Sequence, residues 1–180
     1  MSSTPRQIQP RPVEPITFLF QDDGETPNNP RLPLIVYRGA VDVSGHDPAA
    51  AFEAIFERNG WGWGWRNGIF DFRHFHLRAH EVLGIARGSA QVEFGGAGGQ
   101  MVEVKAGDVA ILPAGCGHRR VSSSRDLLVV GAYPPDNDPA HQTPSSVDHA
   151  TAPQTIATIP APQTDPLYGV SGPLTRLWHR

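Results

Sequence analysis

An all-β fold, closed as a single barrel or sandwich, follows from two features of this sequence. From Trp61 to about Tyr133 the chain is a succession of short β-like runs separated by turn residues: GIFDFRHFHL, EVLGIARG, SAQVEF, GQMVEV, GDVAILP and DLLVVGAY. Its 180 residues and 19.5 kDa suit one core, and no barrel pattern repeats internally, so one unit rather than two is expected.

Residues 1–30 are rich in Pro, Gln, Asn and Thr, with PVEPITFLF as their one apolar run, and are expected to form an irregular extension with an edge strand and a mobile tail. The stretch RLPLIVYRGAV, 31–41, is rich in β-branched residues and bounded by Pro and Gly, which predicts a strand. A helix is expected over 48–59. Asp47 can cap its first turn, Pro48 suits its first position, Asn59-Gly60 supplies a left-handed stop, and Phe52, Ile55 and Phe56 form its buried stripe. The barrel is taken as 31–133, this helix included. Residues 134–166 mix Pro, Thr, Ala and Ser with no helical or strand period and read as a surface wrap or partly disordered. The final DPLYGVSGPLTRLWHR is apolar enough to dock back, so 134–180 is read as a wrap ending in a docking segment.

Composition narrows the function. No run approaches the roughly eighteen apolar residues of a membrane helix, and the N-terminus has no apolar stretch after its charges, so a cytoplasmic protein with no membrane partner is expected. Net charge is −3 and the arginines are scattered, which makes nucleic acid a poor partner. With Cys116 as the single cysteine there is no intramolecular disulfide and no Cys-rich zinc site, and Cys116 is read as a loop residue; a metal must rely on His and carboxylate.

Such a set is present. Read as a strand, GIFDFRHFHL puts Phe70, Phe72, His74 and His76 on one face and Ile69, Asp71, Arg73 and Phe75 on the other. Residues two apart on a strand lie about 7 Å apart, close enough for both imidazoles to converge on one ion. Glu81 opens the next run and can bring a carboxylate to the same point. His118 follows the stop at Pro113 and the turn through Gly115 and Gly117. The four-residue pairing of His76 with His80 suits a helix face and fits this segment worse; His80 is read as supporting the site from behind Glu81 or lying at its rim.

At these residues the sequence resembles the cupin superfamily, whose first motif is Gly, five residues, His-x-His, three or four residues, Glu, six residues, Gly. Here that reads Gly68, His74, His76, Glu81, Gly88 in full. The second motif, Gly, five residues, Pro-x-Gly, two residues, His, three residues, Asn, is matched by Gly107, Pro113, Gly115 and His118, with Ser122 in place of Asn. The wider context resembles a bacterial group, the YjlB-type cupins. The resemblance implies a double-stranded β-helix (RmlC-like jelly-roll) barrel holding one divalent transition metal, Fe, Mn, Ni, Co, Cu or Zn, through His74, His76, Glu81 and His118, with coordination positions left for water or substrate. A small organic ligand is expected at the barrel mouth. Phe72 and Leu83, with the inward-facing Phe70 and Ile85, would wall the pocket; Arg120 could neutralise a carboxylate, Ser122 shares its inward parity, and Arg119 would point away. GWGWGW, if extended, puts Trp61, Trp63 and Trp65 on one face, for packing on the helix or lining the mouth.

No catalytic residue is assigned from the sequence. A metal-dependent enzyme, oxygenase-like, is the leading expectation. The alternatives are a non-catalytic metal-binding or sensing barrel and an isomerase or epimerase working with a His base and a Tyr acid. A homodimer that exchanges or adds edge strands through the N-terminal segment is also expected.

Overall fold

The computed structural model of the protein describes residues 7–179; of the expected N-terminal tail, residues 1–6 lie outside the described residues, as does Arg180 of the docking segment. The strands are β1 (Ile16–Phe18), β2 (Leu34–Tyr37), β3 (Gly62–Asn67), β4 (Glu81–Arg87), β5 (Ser89–Phe94), β6 (Gln100–Lys105), β7 (Val109–Leu112), β8 (His118–Ser123) and β9 (Leu128–Tyr133); the helices are α1 (Pro48–Arg58), α2 (Ala152–Ala157) and α3 (Pro173–Leu177). All strand pairs are antiparallel. One sheet runs β1-β2-β7-β4-β9-β3 and the other β6-β5-β8. The fold is all-β, in the jelly-roll arrangement expected of a cupin. No described helix is long and apolar enough to cross a membrane.

Alternation along the strands builds two cores. On β4, Leu83 and Ile85 face inward between the sheets with Val92, Phe94, Val102 and Leu112, while Val82 and Ala86 face outward. The outward layer is covered by Phe52, Ile55 and Phe56 of α1 and by Leu174 and Trp178 of the C-terminal segment. Burying each of these large side chains contributes about 1.5–3 kcal/mol. Gly84 lets α1 come this close, since a Cβ there would meet the Phe52 ring at 2.3 Å. Asp47 caps α1 through the Ala50 N–H at 3.1 Å. The left-handed stop falls on Gly60 alone (φ 83°), for Asn59 keeps φ at −94°.

Three expectations change. The run GIFDFRHFHL is not a strand. His74 makes a single bridge to His118, and Phe75 turns the other way to bridge Gln142, so no two successive residues pair with one neighbour and strict alternation is lost. The tryptophans do not share a face. The β3–β9 register shifts between Gly62 and Trp65, Trp63 takes a left-handed φ of 55° and is 78% exposed, Trp61 is buried, and Trp65 faces the barrel mouth. The wrap at 134–166 contains α2, with Ala152 and Ile156 buried; Pro153 fits because the first helical turn needs no donor from it.

Candidate metal centre

Each polar side chain of the site reaches one end of the barrel by a separate device. Glu81 opens β4 with the inward parity of Leu83 and Ile85. His118 opens β8 opposite Phe94, which is also inward. The His74 N–H donates to His118 O at 3.2 Å and the His118 N–H to His74 O at 2.9 Å. This bridge sets the two rings on one side, their centroids 4.0 Å apart. His76 is held by the loop ahead of His118, whose Gly115 N–H donates to His76 O at 2.8 Å. Gly115 has φ 89°, and a Cβ there would meet Asn28 O at 2.5 Å, so the turn depends on glycine.

That loop is clamped by Asn28. Its Oδ1 accepts from the Gly117 N–H at 3.0 Å, while its Nδ2 donates to Gly95 O and to Gln21 O, each at 2.9 Å. The clamp is remote in sequence and carries no motif.

The hydrogen bonds fix the tautomers. Nδ1 of His74 faces Phe72 O at 2.9 Å, Nδ1 of His76 faces Ala140 O at 3.3 Å, and Nδ1 of His118 faces Cys116 O at 3.2 Å. A carbonyl oxygen only accepts, so each Nδ1 carries the proton and each neutral ring presents a bare Nε2 lone pair. Two of these, from His76 and His118, lie 3.2 and 3.3 Å from Glu81 Oε2, a buried oxygen with no hydrogen-bond donor. With the rings neutral, three acceptors converge with no proton among them, an arrangement that a cation resolves, either a metal ion or a proton on His76. Ligand atoms of His76, Glu81 and His118 lie within 4.8 Å of one another. His74 stands beside this trio, its ring 4.0 Å from that of His118 and 6.3 Å from that of His76. Two or three imidazoles with one carboxylate suit a divalent transition metal, so the residues fit the group.

Burial opposes charge at His74, His76 and Glu81, but not with one result. It pushes His74 down to about 3, aided by neighbouring His118. At His76 burial also acts downward, yet Glu81 outweighs it and the net shift is upward. Burial would raise Glu81, but His76 and His118 hold its carboxyl below the usual range. Buried Cys116 has its thiol pushed up to about 12 by desolvation.

Two aromatic residues support the carboxylate. The Tyr133 hydroxyl donates to Glu81 Oε1 at 3.0 Å and accepts from Trp65 Nε1–H at 2.9 Å. Tyr133 lies one step beyond the Val82↔Ala132 pair of β4 and β9, hence directly across from Glu81. The inward parity of Val129 and Gly131 was a readable signal for it; the Trp65 role depends on the bulge in β3, which the sequence does not announce.

Next to the cluster is a cavity of about 240 Å³, walled by Trp65, Ile69, Phe70 and Leu83, with Tyr133 at its floor and His141 among its lining residues. Leu83 is where the pattern puts it. Phe72 is not among the lining residues: it stacks on Phe70 at 4.8 Å and is 41% exposed, because its segment does not alternate as a strand. Arg120 keeps inward parity opposite Val92 but is spent on Ile69 O, which accepts from its Nε at 3.0 Å. Ser122 follows a register shift on β8 and is exposed. Arg119 points away and pairs with Glu93 at 3.1 Å. His80 is not at the rim. It is fully buried near Trp178, accepts from the Ala114 N–H at Nδ1 and donates from Nε2 to Pro160 O, both at 2.9 Å, so it ties the loop of His118 to the C-terminal segment. His141 lies in the Pro-rich segment, where no pattern pointed to it.

Comparison with known proteins agrees with this architecture. Residues 67–158 match the family model described as cupin. The uncharacterized protein YjlB of Bacillus subtilis (strain 168) is 37% identical over 162 residues, 90% of this chain and 95% of that protein. Among solved structures, acireductone dioxygenase from Bacillus anthracis, with cadmium ion in its active center, matches at 15% identity and TM-score 0.41, over 58% of this chain and 80% of that one. An uncharacterized conserved protein with a double-stranded β-helix domain from Klebsiella pneumoniae matches at 17% identity and TM-score 0.36, over 79% and 89%.

Proposed function

Because the chain belongs to the cupin family, we propose that it is a metal-dependent enzyme that holds one divalent transition ion through His74, His76, Glu81 and His118 and acts, in an oxygenase-like manner, on a small organic molecule in the adjoining cavity. The observation that carries this reading is the convergence of bare Nε2 lone pairs from His76 and His118 on the donorless Glu81 Oε2. His74, in contact with His118, completes the set. When bound, such an ion supplies Lewis-acid or redox chemistry at its open positions.

The protein's own groups do the rest. Carbonyls of residues 72, 116 and 140 hold the three rings in one tautomer, an arrangement that raises ligand basicity. Tyr133 supplies its proton to Glu81 Oε1 and so directs Oε2 toward the histidines. Trp65, Ile69, Phe70 and Leu83 give the space beside them aromatic and aliphatic walls.

A second reading, an isomerase that needs no ion, draws on Tyr133 beside His76, their rings 5.7 Å apart. The Tyr133 proton is already committed to Glu81, which favours the metal reading. For assembly, the homodimer is retained as a proposal, with one adjustment: β1 pairs with β2 of its own chain, so the surface offered to a second copy is the free edge of β1. Light scattering tests it, and a monomer refutes it.

Elemental analysis of protein purified without added metal decides the main reading. About one equivalent of a transition metal is expected, lost in His76→Ala, Glu81→Ala and His118→Ala. Wild-type protein that is empty and cannot be loaded would overturn it in favour of the isomerase or a metal-free binding barrel.

A further inference from the structure

The arginine that lines the cavity is not available to a ligand. Arg66 is the one Lys or Arg among the described lining residues, and its guanidinium is turned outward onto two carboxylates. Glu53 takes Nε at 2.6 Å and Nη2 at 2.9 Å, and Asp47 takes Nη1 at 3.3 Å and Nη2 at 3.2 Å. Two carboxylates on one guanidinium leave the group with a net negative charge. The other arginines near this end do not line the cavity: Arg120 donates to Ile69 O, and Arg73 and Arg119 pair with Glu93. A divalent ion held by Glu81 would, together with that carboxylate, retain one positive charge, enough to balance a single negative charge. A dianion would leave charge unpaired against apolar walls.

The walls specify the remainder. Trp65 and Phe70 offer aromatic surface, Ile69 and Leu83 aliphatic surface, and a cavity of about 240 Å³ is small for a drug-sized ligand. Asn67 Oδ1 is occupied by the Gly68 N–H at 2.8 Å, which leaves its amide N–H groups as donors toward a ligand oxygen.

We propose that the cavity selects a small, uncharged, aromatic or conjugated molecule carrying a hydroxyl or carbonyl oxygen, and discriminates against dicarboxylates and phosphates. The charge part of this inference rests on the reading of the His/Glu cluster as a metal centre; the aromatic part rests on the walls alone.

Benzyl alcohol, benzoate and phthalate form a series of one ring with none, one and two negative charges. Binding is followed by calorimetry and by tryptophan fluorescence on protein whose metal content has been measured, and on chelator-stripped protein. Benzyl alcohol is expected to bind at least about tenfold tighter than phthalate, with Phe70→Ala weakening it several-fold. Metal-loaded protein that prefers phthalate overturns the inference while the metal centre stands. Protein that cannot be loaded but still binds benzyl alcohol through Phe70 removes the metal centre and the charge part with it, and keeps the aromatic part of the inference. Binding of no member of the series overturns it.

Discussion

The Tyr133 hydroxyl donates to Glu81 Oε1 at 3.0 Å while accepting from Trp65 Nε1–H at 2.9 Å, so its proton has one destination. An indole N–H can only donate, which excludes the reverse orientation. The pair therefore divides the labour of one carboxylate: Oε1 is satisfied by the phenol and Oε2 is left facing the histidines.

Tyr133→Phe should weaken metal binding by about 10–100-fold, the usual effect of removing a hydrogen bond to a metal ligand. The fold should be retained, since the ring stays in place. Competition with a chromophoric chelator measures the affinity directly, and an unchanged value would make Tyr133 a packing residue only.

Gly131 sits opposite Trp65 in the β3–β9 pairing, and a Cβ there would meet the indole at 2.1 to 2.4 Å. Gly131→Ala should push the Trp65 ring out of the cavity wall and release Tyr133 from its donor. A change in tryptophan fluorescence together with a loss of metal affinity in the direction of Tyr133→Phe is expected. Stability loss with an unaltered emission spectrum would show that the indole had not moved.

Asn28 is buried, has φ 53°, and closes three backbone hydrogen bonds around the approach to His118. Asn28→Ala leaves those groups unpaired and places alanine in a left-handed conformation, at a combined cost of about 3 kcal/mol. Asn28→Gly relieves the backbone part alone. Urea unfolding of both variants separates the contributions, and an alanine variant within 0.5 kcal/mol of wild type, the usual range for surface changes, would refute the clamp.

Where residues close in sequence do the work, the sequence was legible. His74-x-His76, Glu81 at a strand start and His118 after a Pro-Gly turn are local patterns, and the structure brings His76, Glu81 and His118 together with His74 alongside. The α1 stripe was readable for the same reason, as a 3.6-residue period. Phe72 was misplaced because parity was extrapolated through a segment whose successive residues pair with different neighbours, His74 with β8 and Phe75 with Gln142. Arg120 had the right parity, but its engagement by Ile69 O depends on how that segment crosses the rim. Asn28, Tyr133 and His141 reach the site from 46 residues before His74 to 23 after His118, and nothing local to Asn28 or His141 records such contacts.

His80 gives the protein a pH dependence separate from that of the proposed metal ligands. Its Nδ1 accepts from Ala114 N–H and its Nε2–H donates to Pro160 O, so the folded state requires the neutral ring, and burial lowers its pKa from 6.5 to about 4. Between those two values the unfolded chain binds a proton that the folded chain does not, so stability is complete above pH 6.5 and is lost as pH falls toward 4, by a few kcal/mol in total. His80→Asn keeps an acceptor for Ala114 and removes the titration. Measured by urea unfolding in the presence of chelator, the difference between wild type and this variant should shrink steadily from pH 7 to pH 4.5, whatever the other histidines contribute to both. A difference that is constant over that range would mean that His80 is not held neutral by its two partners.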